Sequence, residues 1–151
     1  MKNILIKGSG DVLGSPKFIR FIKEKTRKNN IVVICGGGTQ ISKALIEAGY
    51  EIRYDHLGRI TKTEEEKDIA RKILEKERKN LKRSLNDRNI HIISPILKIG
   101  SVECHINADN LVKACYLGFD SVYVFTLKNR VINKKKIFKD YPRIKFVGIN
   151  K

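Results

Sequence analysis

Four short runs of mostly β-branched residues recur along the chain, with helix-patterned segments between them. Ile4 to Ile6, Ile31 to Cys35, Ile90 to Ile93 and Ser121 to Thr126 have strand length and are apolar on both faces. Ile144 to Ile149 is a fifth candidate. Continuously apolar strands separated by helices predict a mostly parallel sheet covered on both sides, a three-layer α/β/α sandwich. In such a sheet, ligands bind beyond the carboxyl ends of the strands.

The helices can be placed from their signals. Ser15 is an N-cap and Pro16 the first residue of a helix reaching about Asn29, with Phe18, Ile19, Phe21 and Ile22 apolar. Ile41, Ala44, Leu45 and Ala48 form a second stripe, which Gly49 closes. Thr63-Glu64-Glu65-Glu66 has the capping-box pattern and opens a helix to about Leu85, with Ile69, Ile73, Leu74, Leu81 and Leu85 inward. A fourth helix is expected from Asn107 to Leu117. Residues 51–61 and 94–104 read as loops or extended connections, and 134–151 as a basic tail.

At 151 residues the chain suits one domain with a real core. No apolar run approaches the ~20 residues that span a membrane, and the N-terminal run is too short for a signal peptide. The expectation is therefore a cytoplasmic protein without a membrane partner. Cys35, Cys104 and Cys115 form no C-x-x-C pattern, so they are expected as free thiols, with no metal site. The net charge of +16 would attract polyanions. Its lysines are dispersed and no aromatic platform accompanies them, which makes nucleic acid a secondary partner.

Two strands end in glycine. Lys7-Gly8-Ser9-Gly10 follows the first, and Gly36-Gly37-Gly38-Thr39-Gln40 lies between the second and a helix N-terminus. Glycines let backbone N–H groups approach an anion closely, the helix dipole favours negative charge, and Lys7 adds a cation. The pattern is neither a Walker A loop nor a dinucleotide-binding G-x-G-x-x-G.

These segments, in order, resemble the opening of the amino acid kinase family, acetylglutamate and uridylate kinases among its members. Gly58-Arg59-Ile60-Thr61 is similar to the segment that offers an arginine to a substrate carboxylate. His105-Ile106-Asn107-Ala108-Asp109 resembles the family's N-x-N-A-D, with His105 at the first Asn. The resemblance implies a phosphotransferase using ATP and Mg²⁺ on a small anionic acceptor. Lys7 and Asp109 would be catalytic, and Gly8, Ser9, Gly10, Gly36, Gly37, Gly38, Arg59 and Asn107 would hold phosphate or substrate. Asn107 and Asp109 also suit a plain helix cap.

The resemblance runs from about Ile4 to Thr126 and then breaks. Leu127 stands where the family keeps an acidic residue, and Arg130 where it keeps a glycine. The chain therefore divides into a phosphoryl and acceptor half, 1–126, and a basic tail, 127–151. Three readings follow: the basic tail, Lys128 and Arg130, or a partner subunit completes the ATP site; a noncatalytic small-anion or nucleotide-binding module, a pseudokinase, persists; or the chain is a fragment of a longer protein. A homodimer is expected from the surface of the long helix.

Overall fold

A computed structural model describes residues 1–87 and 89–150. The chain alternates strands and helices: β1 (Lys2–Gly8), α1 (Pro16–Thr26), β2 (Asn29–Cys35), α2 (Gly38–Glu47), β3 (Arg53–Asp55), β4 (Gly58–Ile60) and α3 (Glu64–Leu85) come first. There follow β5 (Ile90–Ile93), β6 (Ile96–Ile99), β7 (Val102–His105), α4 (Ala108–Cys115), β8 (Ser121–Leu127), α5 (Val131–Ile137) and β9 (Ile144–Ile149).

The central sheet has the order β5-β2-β1-β8-β9, and every pairing in it is parallel. Strand β1 lies in the middle, with Gly8 level with Cys35 on one side and Phe125 on the other. All five carboxyl ends thus open on the same edge, and the glycine turns sit at its centre. The buried runs explain the strands: Ile4 to Gly8 and Ile31, Val33, Ile34 and Cys35 are almost wholly out of solvent.

Both faces of the sheet are covered. On one, Phe18 and Ile22 of α1 and Leu81 and Leu85 of α3 pack on Ile6, Val33 and Phe125. On the other, Val112 of α4 and Phe138, just past α5, meet Leu5, Ile34 and Val124. A third cluster joins α2 to the first half of α3 through Ile41, Leu45, Ala70 and Leu74. The helix starts follow their sequence signals. Ser15 Oγ accepts from Phe18 N–H at 3.3 Å, with Pro16 at the first position. Thr63 and Glu66 cap each other reciprocally.

Several boundaries differ from the sequence expectations. Residues 51–61 contain the β3–β4 hairpin, and 94–104 contain most of the β6–β7 hairpin, both antiparallel. Helix α1 ends at Thr26 and α4 at Cys115, where a 3-10 turn takes over. The tail contains α5, and its candidate strand is β9, paired with β8. Ile69 and Ile73 are only partly buried, while Ala70 is fully so.

No helix among the described residues is long and apolar enough to cross a membrane. The three cysteines are free; Cys35 is buried, which pushes its thiol up to about 12, and the other two are half-buried.

Candidate functional site

At the carboxyl edge of the sheet the two glycine turns meet. Gly36 N–H donates to Gly8 O at 2.7 Å, fastening the end of β2 to the end of β1. A Cβ on Gly36 would stand 2.9 Å from Gly8 O and 3.2 Å from Ser9 Cα, both backbone atoms that cannot rotate away. Gly38 has nothing within 4 Å of its Cβ position. Gly36→Ala is therefore expected to cost about 1–3 kcal/mol through forced backbone displacement. Gly38→Ala should leave the thermal midpoint where it is. Melting the two variants side by side checks the contrast.

Above the turns lies a cavity of about 180 Å³. Of the residues expected at a site, Lys7, Ser9, Gly10, Gly36, Gly37, Gly38, Arg59, Asn107 and Asp109 line it. Gly8 does not line it. Its Cβ position faces inward, 2.6 Å from Leu13 Cδ2 and 2.8 Å from Phe18 Cζ, so Gly8 lets the core close under the site.

At the centre is a buried ionic group. Lys7 Nζ lies 3.2 Å from Asp109 Oδ1, attracted by charge but without an aligned hydrogen bond. It also donates to Ser9 Oγ at 3.1 Å, which in turn donates to Thr126 Oγ1 at 3.2 Å. The other Asp109 oxygen takes the ammonium of Lys134, from α5. Lys7 is only 3% exposed. Burial, helped by the nearby Lys134 charge, pulls its pKa down to about 8 against the attraction of Asp109. For Asp109, burial pushes the carboxyl up. The two ammonium groups outweigh it and hold the carboxyl below its ordinary value.

Asn107 caps α4, its Oδ1 accepting from Asp109 N–H at 2.8 Å and Asn110 N–H at 3.2 Å. The cap fixes the backbone that aims Asp109 at Lys7. Asn110 Nδ2 donates to Leu57 O at 2.8 Å, tying α4 to the β3–β4 hairpin. Gly58, with φ +129°, turns the hairpin in a conformation that other residues rarely adopt, and its Cβ position lies 2.9 Å from Asn107 Cβ. The hairpin thereby carries Arg59 to the cavity. Arg59 Nη2 donates to Gly38 O, Ser42 Oγ and Tyr54 Oη, each at 2.8 Å, and the guanidinium lies over the Tyr54 ring. Burial lowers its pKa.

Sequence reasoning missed Lys134 and Asp11, and placed Arg130 only in a tail completing an ATP site. Asp11 accepts from Thr39 Oγ1 and from Arg130 Nη1, each at 2.8 Å, and so latches the start of α5 to the start of α2. Asp11 directly follows the first glycine turn, and that adjacency was a usable signal. Lys134 had none, standing in a run of three lysines of which it alone turns inward. Counting these, four cationic side chains and two carboxylates line the cavity. Elsewhere part of the positive charge is paired. On α3, Lys67 pairs with Glu64, Arg71 and Lys72 with Asp68, and Arg78 with Glu75.

The chain matches no protein-family profile and no curated protein. Its fold is similar to that of N-acetylglutamate synthase from Neisseria gonorrhoeae solved with coenzyme A and N-acetyl-glutamate. The TM-score is 0.73 and the identity 13%, over 84% of this chain and 42% of that one. The same synthase with coenzyme A and L-arginine gives 0.57 and 12%, over 84% and 44%. The smu.665 protein of Streptococcus mutans gives 0.65 and 17%, over 84% and 72%. The chain thus spans less than half the length of the synthase, and at these identities the likeness concerns the fold.

These neighbours correct the kinase expectation. The functionally named one is a synthase solved with coenzyme A, not a kinase solved with ATP. Membership of the amino acid kinase family, the phosphotransferase activity with its pseudokinase alternative, and the ATP and Mg²⁺ cofactors are therefore not supported. Both oxygens of Asp109 face ammonium groups, and the described residues contain no cluster of three metal-binding side chains. What stands of the fold expectation is the α/β architecture with its parallel central sheet.

Proposed function

We propose that this chain binds a small anionic metabolite, bearing a carboxylate or a phosphate, in the cavity above the glycine turns. The observation that carries the reading is the excess of cations there, Lys7, Lys134, Arg59 and Arg130 against Asp11 and Asp109, around a cavity with glycine walls. In this reading Lys7 and Lys134 supply the charge and Asp109 holds them apart at a fixed distance. The N–H groups of Gly10, Gly37 and Gly38 contribute neutral donors. Arg59 and Asn107 form the far wall. Support comes also from the synthase of similar fold, which was solved with N-acetyl-glutamate, itself a small carboxylate. Residues 1–151 act as one unit here, because α5 in the tail brings Lys134 to the cavity. A cytoplasmic location and a homodimer accompany the reading.

Calorimetric titration of succinate, N-acetyl-L-glutamate and inorganic phosphate tests it. At least one should bind at millimolar concentration or below, and Lys7→Met should abolish that binding while the protein stays folded. If none of the three binds, or if Lys7→Met binds as the native protein does, the reading is wrong.

A further inference from the structure

The second half of α3 carries a cation on the same side at every turn. Lys72, Lys76, Lys79 and Arg83 are spaced by four, three and four residues, which keeps them in one stripe of a helix. The fold sets that stripe along a groove bordered by β5 and the β6–β7 hairpin, which Arg71 and Arg78 also line. Beyond Arg83 the track continues. Ser84 borders a second groove, lined by Arg20 and Lys23 of α1 and by Arg27 at its end. Helices α1 and α3 pack on the same face of the sheet. Basic residues that look dispersed along the sequence are thus gathered on two neighbouring helices.

Much of this charge has no internal partner. Asp68 takes Arg71 and Lys72, and Glu75 takes Arg78. Among the described residues, Lys76, Lys79, Arg83, Arg20, Lys23 and Arg27 enter no ion pair, and Glu24 is the only carboxylate lining the second groove. The length of the track decides what can answer it. From Lys72 to Arg83 the helix rises roughly 16 Å. That is about twice the ~8 Å over which exposed charges act on one another at physiological salt. A single small anion reaches one or two of these cations. A partner for the whole track must repeat its negative charge.

The surroundings select among polyanions. A membrane surface calls for apolar side chains that insert, and none of the exposed large hydrophobic residues lies on α1 or α3. An acidic peptide gains affinity from apolar anchors seated in pockets, and the α1 groove offers little beyond Pro16 and Ile19. Nucleic acid needs neither, because its phosphates supply charge at fixed intervals. No aromatic side chain lines either groove, so the bases of a single strand have no platform to stack on.

We infer that α3 and α1 form a docking surface for a nucleic-acid duplex, held through its phosphates without regard to base sequence. The two grooves share no lining residue with the cavity at the sheet edge, so this surface is independent of the anion-binding reading above.

Fluorescence anisotropy of a labelled DNA duplex of about 20 base pairs tests it over 50–200 mM salt. The native protein should bind with a Kd of about 1–100 μM at 50 mM salt. Log affinity should fall against log salt with a slope of about −4 to −5, the mark of about five neutralised phosphates. Lys76→Gln/Lys79→Gln/Arg83→Gln should flatten the slope by about 2–3 and weaken binding at least ~10-fold at 100 mM salt. Lys98→Gln/Lys136→Gln/Lys139→Gln removes the same charge from positions outside both grooves and should cost less than about 3-fold. All six side chains are exposed, so both variants should melt with the native protein. Equal losses in the two variants overturn the inference, as does a native slope shallower than about −2 or no binding at 50 mM salt. Poly-L-glutamate or phosphatidylserine vesicles that displace the labelled duplex as effectively as unlabelled duplex, charge for charge, would assign the surface to another polyanion. A single strand of the same length that binds more tightly than the duplex also overturns it.

Discussion

Asp109→Ala is expected to destabilise the protein by about 3–5 kcal/mol, the cost of stripping one partner from a buried ion pair. That is a large part of the ~5–15 kcal/mol that holds a typical domain folded. The reason is the neighbourhood left behind. Asp109 is 7% exposed and lies between Lys7 and Lys134. Without it, two ammonium groups face each other at the end of the sheet. Lys134 can swing toward solvent, because its helix is on the surface. Lys7 cannot, because it leaves a central strand with only 3% exposure. Combining Asp109→Ala with Lys7→Met removes the stranded charge, and the double variant should be more stable than Asp109→Ala alone. Urea unfolding of the four proteins gives the cycle. A single variant within about 1 kcal/mol of the native protein would mean that Asp109 does not hold the lysines in the fold.

How much of this was legible in the sequence varies with the kind of signal. The strands and their parallel arrangement were, because burial on both faces demands continuous runs such as Ile31 to Cys35, which no amphipathic surface segment imitates. The caps were legible at Ser15, Thr63 and Asn107 because capping is local chemistry. The hairpins were not. Strands β3 and β4 have three residues each and no buried member, so they show no periodicity to read. Helix α5 was lost for the opposite reason. Its sequence, Val131 to Ile137, is almost half lysine, and nothing in it marks the one lysine that reaches the cavity.

The site residues divide in the same way. That Lys7 and the second glycine turn border a cavity was legible because a strand end before a helix is a defined place in a parallel sheet. Gly8 was misplaced because spacing does not tell a glycine that clears room for a ligand from one that clears room for Phe18. The kinase expectation failed at a higher level. Glycine turns at the carboxyl ends of parallel strands describe a way of holding an anion, and a fold with such turns does not dictate the reaction. The glycine turns and the two lysines stand together at the carboxyl edge of the sheet, while the likeness to a synthase of 13% identity concerns the fold and lends no support to phosphoryl transfer.

Anion affinity should fall as pH rises through about 8, and the stability of the unliganded protein should move the other way. Both follow from Lys7. Burial, its largest influence, brings the ammonium down from its ordinary 10.5 to about 8. A bound anion supplies the negative charge that burial denies, so it raises that value, and binding takes up a proton in the window above about 8. Succinate affinity should be level below that point and decline by up to ~10-fold per pH unit above it. For folding, the unfolded lysine keeps its proton to 10.5 while the folded one releases it near 8. The unfolded state therefore binds more protons between these limits, and stability rises with pH across them. Succinate is the better probe than phosphate, because its own ionisation is complete below this range. Calorimetry in two buffers of different ionisation enthalpy reads the proton uptake, and urea midpoints read the stability. Lys7→Met should be flat in the stability measurement and show no succinate binding at any pH. A succinate affinity in the native protein that holds level from pH 7 to about 9.5 would remove Lys7 as the charge that holds the anion.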